Sequence, residues 1–190
     1  MKNTTTTTRL LVLLAVGALA SCSDNDPATS GSAGGDNAES ATDSTAADAR
    51  IDSVWLGAEP EGAASVIETR ASAEPGTPVT VTGRIAGALN PFTEGYATFV
   101  LADHTLETCD LTEDDECPTP WDACCADPAT IKASRLSVQI PGDDGRPVPQ
   151  SLKGAGGLAE LDEVAVTGTI AEGSTPDNVI IDATGIYRKE

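Results

Sequence analysis

The chain is short of the residues that most site chemistry requires. It has one histidine in 190 residues, His104, so multi-histidine metal sites are excluded and any histidine-based triad has a single candidate. His104 follows Asp103 at the expected end of a strand, where it reads as a surface or capping residue rather than a catalyst. There is no Gly-x-Ser-x-Gly elbow and no phosphate loop. Aromatic residues are limited to Trp55, Phe92, Tyr96, Phe99, Trp121 and Tyr187, so a core must rest on Val, Ile, Leu and Ala. Basic residues are scarce too, 11 against 30 acidic ones. A surface of that sign repels phosphate backbones, and the basic, aromatic-lined groove that single-stranded nucleic acid needs is missing. Nucleic acid is therefore not an expected partner. No hydrophobic run has membrane-spanning length: the longest, Leu10 to Leu19, falls well short of roughly 20 residues. With no catalytic constellation in view, the expectation is a protein that is not an enzyme and carries no cofactor.

That short apolar run is informative through its flanks. Lys2 and Arg9 precede it, and Leu19-Ala20-Ser21-Cys22 follows. A basic start, an apolar stretch and small residues are the marks of a cleaved export signal. Ala18-Leu19-Ala20 would also satisfy an ordinary secretory cleavage site, but Cys22 directly after Leu19-Ala20-Ser21 resembles the lipobox of bacterial lipoproteins. The resemblance implies removal of residues 1–21 and acylation (palmitate-type chains) of Cys22 as the mature N-terminus. Each buried methylene contributes about 0.8 kcal/mol, so two or more chains hold a protein stably on a membrane. It implies a cell-envelope location, lipid-anchored with the chain on the periplasmic face. Ser23 stands where, in well-studied envelope lipoproteins, aspartate favours inner-membrane retention, which points to the outer membrane. Removal of Lys2 and Arg9 leaves 9 basic residues against 30 acidic, a net charge of −21.

Residues 22–50 carry no large apolar side chain and are rich in Ser, Gly, Ala and Asp. Such a stretch cannot bury enough surface to offset its ordering entropy, and it reads as a disordered linker. The 28 residues from Ser23 to Arg50 have an r.m.s. reach on the order of 30 Å. Residues 51–76 form an N-terminal extension. In it, Val54-Trp55-Leu56 could dock as an edge strand, and Glu61 to Ala73 has helical spacing at Ala63, Val66, Ile67 and Arg70, closed by Pro75-Gly76.

From residue 77 to 190 the pattern is all-β. Val79 to Ile85, Tyr96 to Leu101, Ile131 to Ile140, Val164 to Ile170 and Val179 to Tyr187 alternate or are rich in β-formers. Ser151 to Leu161 is the best short helix between the third and fourth, weakened by Gly154, Gly156 and Gly157. Two of the strands share one signature, Val79-x-Val81-x-Gly83-x-Ile85 and Val164-x-Val166-x-Gly168-x-Ile170, the second led by Leu158-x-x-Leu161-Asp162-Glu163. This is similar to the strands that meet and close the barrel in OB-folds, where a glycine permits sharp coiling. The resemblance implies a small five-stranded barrel with a short helix between strands three and four. The exported OB-fold haem chaperone attaches haem through a histidine near its C-terminus. Gly185 to Glu190 has none, so that function is not implied.

With Cys22 assigned to lipid, Cys109, Cys117, Cys124 and Cys125 remain, all in an insertion over residues 103–130. So long an insertion is expected to be functional or stapled, and an exported location favours disulfides. Four cysteines allow three pairings. A bridge between adjacent Cys124 and Cys125 would close a strained eight-membered ring. Both are therefore expected to pair outward, to Cys109 and Cys117, in an order the sequence leaves open, each bridge contributing roughly 2–4 kcal/mol. Trp121 would form the loop's own small core. The alternative is a metal-handling envelope protein in which the Cys109–Cys125 loop, with His104 nearby, holds zinc or copper(I). The absence of any Cys-x-x-Cys knuckle argues against it and against thioredoxin-like redox chemistry. The acidic run Glu113-Asp114-Asp115-Glu116 lacks the spaced ligands and central glycine of an EF-hand and reads as a solvated tip. The leading expectation is a lipid-anchored envelope protein with a non-enzymatic binding or structural role and a possible protein partner.

Overall fold

The computed structural model describes residues 37–112 and 117–189. Residues 1–36, with the export signal, Cys22 and most of the linker, lie outside the described residues, as does the acidic run at 113–116. The elements in chain order are α1 (Asn37–Asp52), β1 (Ala64–Ser65), α2 (Val66–Ala71), β2 (Pro78–Ile85), β3 (Thr98–Ala102), α3 (Pro128–Ala133), β4 (Arg135–Gln139), β5 (Glu163–Ile170) and β6 (Ile180–Arg188).

Five strands close a barrel. β2 pairs antiparallel with β3 at its C-terminal end and with β5 along its length. β3 pairs antiparallel with β4, β4 runs parallel to β6, and β6 returns antiparallel to β5. The circuit β2-β3-β4-β6-β5-β2, with one parallel contact, is the Greek-key barrel of an OB-fold. β1 adds a two-residue parallel edge to β2, with Ala64 opposite Val81. The two glycine-bearing signatures are direct neighbours and run antiparallel about Val81↔Val166, so that each glycine faces the other motif's first valine, Val79↔Gly168 and Gly83↔Val164.

The barrel interior is aliphatic, as the aromatic shortage requires. Val81, Ile85, Leu101, Val138, Val164, Val166, Ile170 and Ile181 are buried, and Phe99 is the aromatic at its centre. Phe92 packs on Phe99 with ring centroids 6.2 Å apart. Before the barrel, α2 begins with a capping box in which Ser65 accepts from the Glu68 N–H and the Glu68 carboxylate accepts from the Ser65 N–H. Its Val66 and Thr69 are buried, while Ile67 points outward.

Several boundaries differ from the expectations, each for a local reason. Asn37 to Arg50, read as linker, belong to α1. Ala47 and Ile51, one turn apart, are buried with Val54, and together they seat the helix on the core. Val54 and Leu56 bracket Ile186 with two backbone hydrogen bonds, Ile186 N to Val54 O at 2.7 Å and Leu56 N to Ile186 O at 2.9 Å, so this segment does dock at a sheet edge. The helix expected over Glu61 to Ala73 is limited to α2, because Ala64 and Ser65 pair with β2. Ile131, expected in a strand, lies on α3. Asp127 caps that helix by accepting from the Ala129 and Thr130 N–H groups, and Pro128 occupies its first turn. The strand begun at Tyr96 starts at Thr98, after a turn at Gly95. The helix expected over Ser151 to Leu161 shrinks to a 3-10 turn at Ala155–Gly157, because Gly154, Gly156 and Gly157 take positive φ. Leu152 and Leu158 on either side are nevertheless buried in the barrel core.

Candidate functional site

The cysteine insertion is built against the outside of the barrel by groups on both of its arms. The first arm leaves β3 through Asp103, whose carboxylate accepts from the Thr105 N–H and hydroxyl, and makes a 3-10 turn at Cys109–Leu111. The second arm returns alongside it: Cys109 N–H donates to Asp122 O at 2.8 Å and Asp110 N–H to Pro120 O at 2.9 Å. Arg84 of β2 reaches out to hold the turn, donating to Asp110 Oδ2 at 2.7 Å and to Thr108 Oγ1 at 3.3 Å. Burial alone would raise the Asp110 carboxyl. The hydrogen bonds from Thr108 and Arg84 outweigh it and hold the group below the usual carboxylate range. Trp121 pins the second arm: its Nε1 donates to Leu89 O at 3.0 Å and its carbonyl accepts from the Gly87 N–H at 2.8 Å. Beneath it lies a small apolar cluster of Ala86, Ala102, Leu106 and Ala123, against which Trp121, Ala126 and Ile131 pack. The loop's core is therefore shared with the barrel's outer surface rather than formed by Trp121 alone.

This crossing of the arms gathers thiols that are far apart in sequence. Among the described residues, the Sγ atoms of Cys109, Cys117 and Cys124 all lie within 4.8 Å of one another. Cys109 and Cys124 Sγ are 3.6 Å apart, and Cys125 Sγ is 3.9 Å from Cys124 Sγ. Cys109 is buried, Cys117 half-buried, and Cys124 and Cys125 exposed. Burial, and then hydrogen bonding with Cys124 and Cys117, pushes the Cys109 thiol well above its ordinary range. Cys117 Sγ also sits 3.4 Å from Thr119 Oγ1. A cleft of about 220 Å³ lined by Thr108, Cys109, Cys125 and Ala126 adjoins the cluster.

His104 does not join this cluster in any described contact. Its Nδ1 is 3.8 Å from Glu163 Oε1, with both side chains substantially exposed. The neighbouring Asp103 is the buried member of the pair, and its Oδ2 accepts from the Ile67 N–H of α2 at 3.0 Å. Sequence reasoning missed Asp103 and Arg84. Asp103 had a readable signal: it continues the inward phase of Phe99 and Leu101 on β3, and a charge in that phase requires partners.

A second location is the β3–β4 face, the surface on which OB-folds commonly take ligands. A cleft of about 280 Å³ there is lined by Arg70, Val100, Lys132, Arg135, Ser137 and Asp177. Its cations are engaged: Arg70 donates to Arg135 O and Pro176 O, Arg135 to Gly87 O, and Lys132 pairs with Asp177 at 2.6 Å. They brace the cleft and do not present a free basic surface.

The closed strand circuit and the externally mounted thiol loop define the class: a small OB-fold barrel with a cysteine-bearing insertion between its second and third strands. No family model matches the chain, and no curated protein matches it. Among solved structures, the chain is similar to the hypothetical protein ygiW from E. coli, at 14% identity over 72% of this chain and 96% of that one, with a TM-score of 0.36. The fold class stated above rests on the strand pairings. Among the described residues, no helix is long and apolar enough to cross a membrane.

Proposed function

We propose that this protein is a lipid-anchored component of a bacterial cell envelope whose OB-fold barrel serves a non-enzymatic binding role. The observation that carries the proposal is the order of parts along the chain. A basic start, an apolar run and Leu19-Ala20-Ser21-Cys22 come first, then a stretch of Ser, Gly, Ala and Asp, then a closed barrel. Lipid on Cys22 would tether the barrel on the periplasmic face of a membrane, and Ser23 favours the outer one. A mature net charge of −21 favours basic or neutral partners over nucleic acid and anionic headgroups. The β3–β4 face, with its braced cleft, is the surface on which an envelope protein partner would dock.

Cell fractionation with metabolic palmitate labelling tests the anchor. The wild-type chain should label and sediment with membranes, whereas Cys22→Ala should neither label nor sediment. A Cys22→Ala chain that stays as firmly membrane-bound as wild type sinks the anchored reading. Proximity labelling from the native lipoprotein would identify the partner.

A further inference from the structure

We propose that Cys109, Cys117 and Cys124 form a three-thiolate site for one thiophilic metal ion, zinc(II) or copper(I). This inference is independent of the lipid anchor. Its first support is the convergence of three thiols from the two arms of the insertion. The three Sγ atoms lie mutually within 4.8 Å, with Cys125 Sγ 3.9 Å from Cys124 Sγ at the edge of that set. The spacing is the second support. Sulfurs about 2.3 Å from a common zinc stand about 3.8 Å apart in a tetrahedral arrangement, close to the 3.6 Å between Cys109 and Cys124. A disulfide would instead bring two of them to about 2.05 Å.

The scaffold suits a preformed site. The backbone bonds Cys109 N to Asp122 O and Asp110 N to Pro120 O fix the two arms, and Arg84 anchors the turn that carries Cys109 to the barrel. Proximity thus comes from the crossing of the arms, which replaces the Cys-x-x-Cys knuckle the sequence lacks. The adjoining cleft beside Cys109 gives an approach from solvent. The donor set selects the class of ion, since soft thiolates favour zinc and copper(I) over calcium or magnesium. Each ligating thiol releases its proton as the ion binds, leaving a net site charge of −1 with zinc(II) or −2 with copper(I). Three ligands leave a coordination position open on zinc and complete a trigonal site for copper(I).

The test uses the mature chain purified without chelator or reductant. Its metal content and non-reducing intact mass are measured first. The reduced protein is then titrated with zinc(II) and, without oxygen, with copper(I). One equivalent of either ion should bind and protect three thiols from alkylation. C117S and C124S should each weaken binding roughly 100-fold or more, while C125S should bind like wild type. Cys124 is exposed, so C124S tests ligation without disturbing the core, and circular dichroism checks that the variants fold. The proposal is overturned if the isolated protein is metal-free and four hydrogens light, and its reduced form binds neither ion more tightly than the C117S/C124S double variant. It is equally overturned if C125S loses binding as fully as C124S.

Discussion

Asp103 shows what a single residue contributes to this fold, and how its role was readable. It follows Phe99 and Leu101 in the inward phase of β3 and is buried, yet it is charged. Its Oδ2 takes the Ile67 N–H from the first turn of α2, and its Oδ1 takes the Thr105 N–H at 3.0 Å and the Thr105 hydroxyl at 2.7 Å. One carboxylate therefore ties a helix start, a barrel strand and the beginning of the cysteine insertion together. Burial alone would raise its pKa, but these bonds outweigh burial and hold the group below its ordinary value. Asp103→Ala leaves buried N–H groups without an acceptor and should cost about 2–3 kcal/mol at neutral pH, measured from urea midpoints. Because the folded value is depressed, this stabilisation is complete above the unfolded carboxylate value, about pH 4, and is lost as pH falls through the lower folded one. The gap between wild type and Asp103→Ala should therefore close on acidification below that range. A gap independent of pH would assign the loss to packing. His104 draws notice because histidine carries chemistry. The alternation of β3, extended by one step, pointed instead to the residue before it.

At the level of elements, strands were more legible than helices, because a barrel strand repeats its physical requirement every second residue. The Val-x-Val-x-Gly-x-Ile signatures located β2 and β5 to within a residue and matched them as neighbours. Their glycines are required by close approach. A Cβ on Gly83 would stand 2.5 Å from Ala102 O and 2.9 Å from Leu101 Cγ, and one on Gly168 would collide with Asp182 O and meet Ile181 Cγ2 at 2.8 Å. Gly168 also sits at the register shift between β5 and β6, where the strand bends most. Gly168→Ala should destabilise the fold by about 1–3 kcal/mol or more, since backbone stands in the way and cannot give like a side-chain tip. Gly57→Ala is the control, because nothing lies within 4 Å of its added methyl; its melting temperature should stay near wild type. Equal melting temperatures for the two variants would contradict the close-approach reading. The helical misses have different causes. Asp127-Pro128 is a helix-start signal that the strand pattern taken from Ile131 to Ile140 obscured. Leu152 and Leu158 are core residues carried on a turn, so their burial created no helical period.

For the molecule as a whole, strand number and closure followed from the sequence, because five β-rich segments with paired glycine signatures admit few closed arrangements. The thiol cluster did not, because it depends on how two arms of an insertion cross, and neither spacing nor composition encodes that crossing. The start of the domain was also illegible. Over residues 44–50, a polar, Ala-rich stretch, Ala47 is the single buried residue before Ile51, which is too weak a period to separate a docked helix from a linker. The position of that boundary has a measurable consequence. Ile51 and Val54 are 2% and 4% exposed within the main core, and Val54 and Leu56 hydrogen-bond with Ile186 of β6. Gln150 reaches back to Asp48 at 2.8 Å, which ties the helix to the far side of the barrel's loops. A chain begun at Asn37 should therefore be as stable as one begun at Cys22. One begun at Gly57 exposes the core beneath two buried aliphatic side chains and should lose about 3–6 kcal/mol, a large fraction of a total of about 5–15 kcal/mol. Urea denaturation of the two truncated chains decides the point. If they differ by less than about 1 kcal/mol, α1 is an appendage and the tether runs to Arg50. A loss in the stated range makes the helix part of the domain, and an anchor at Cys22 would then be joined to the barrel through a docked helix rather than through linker alone.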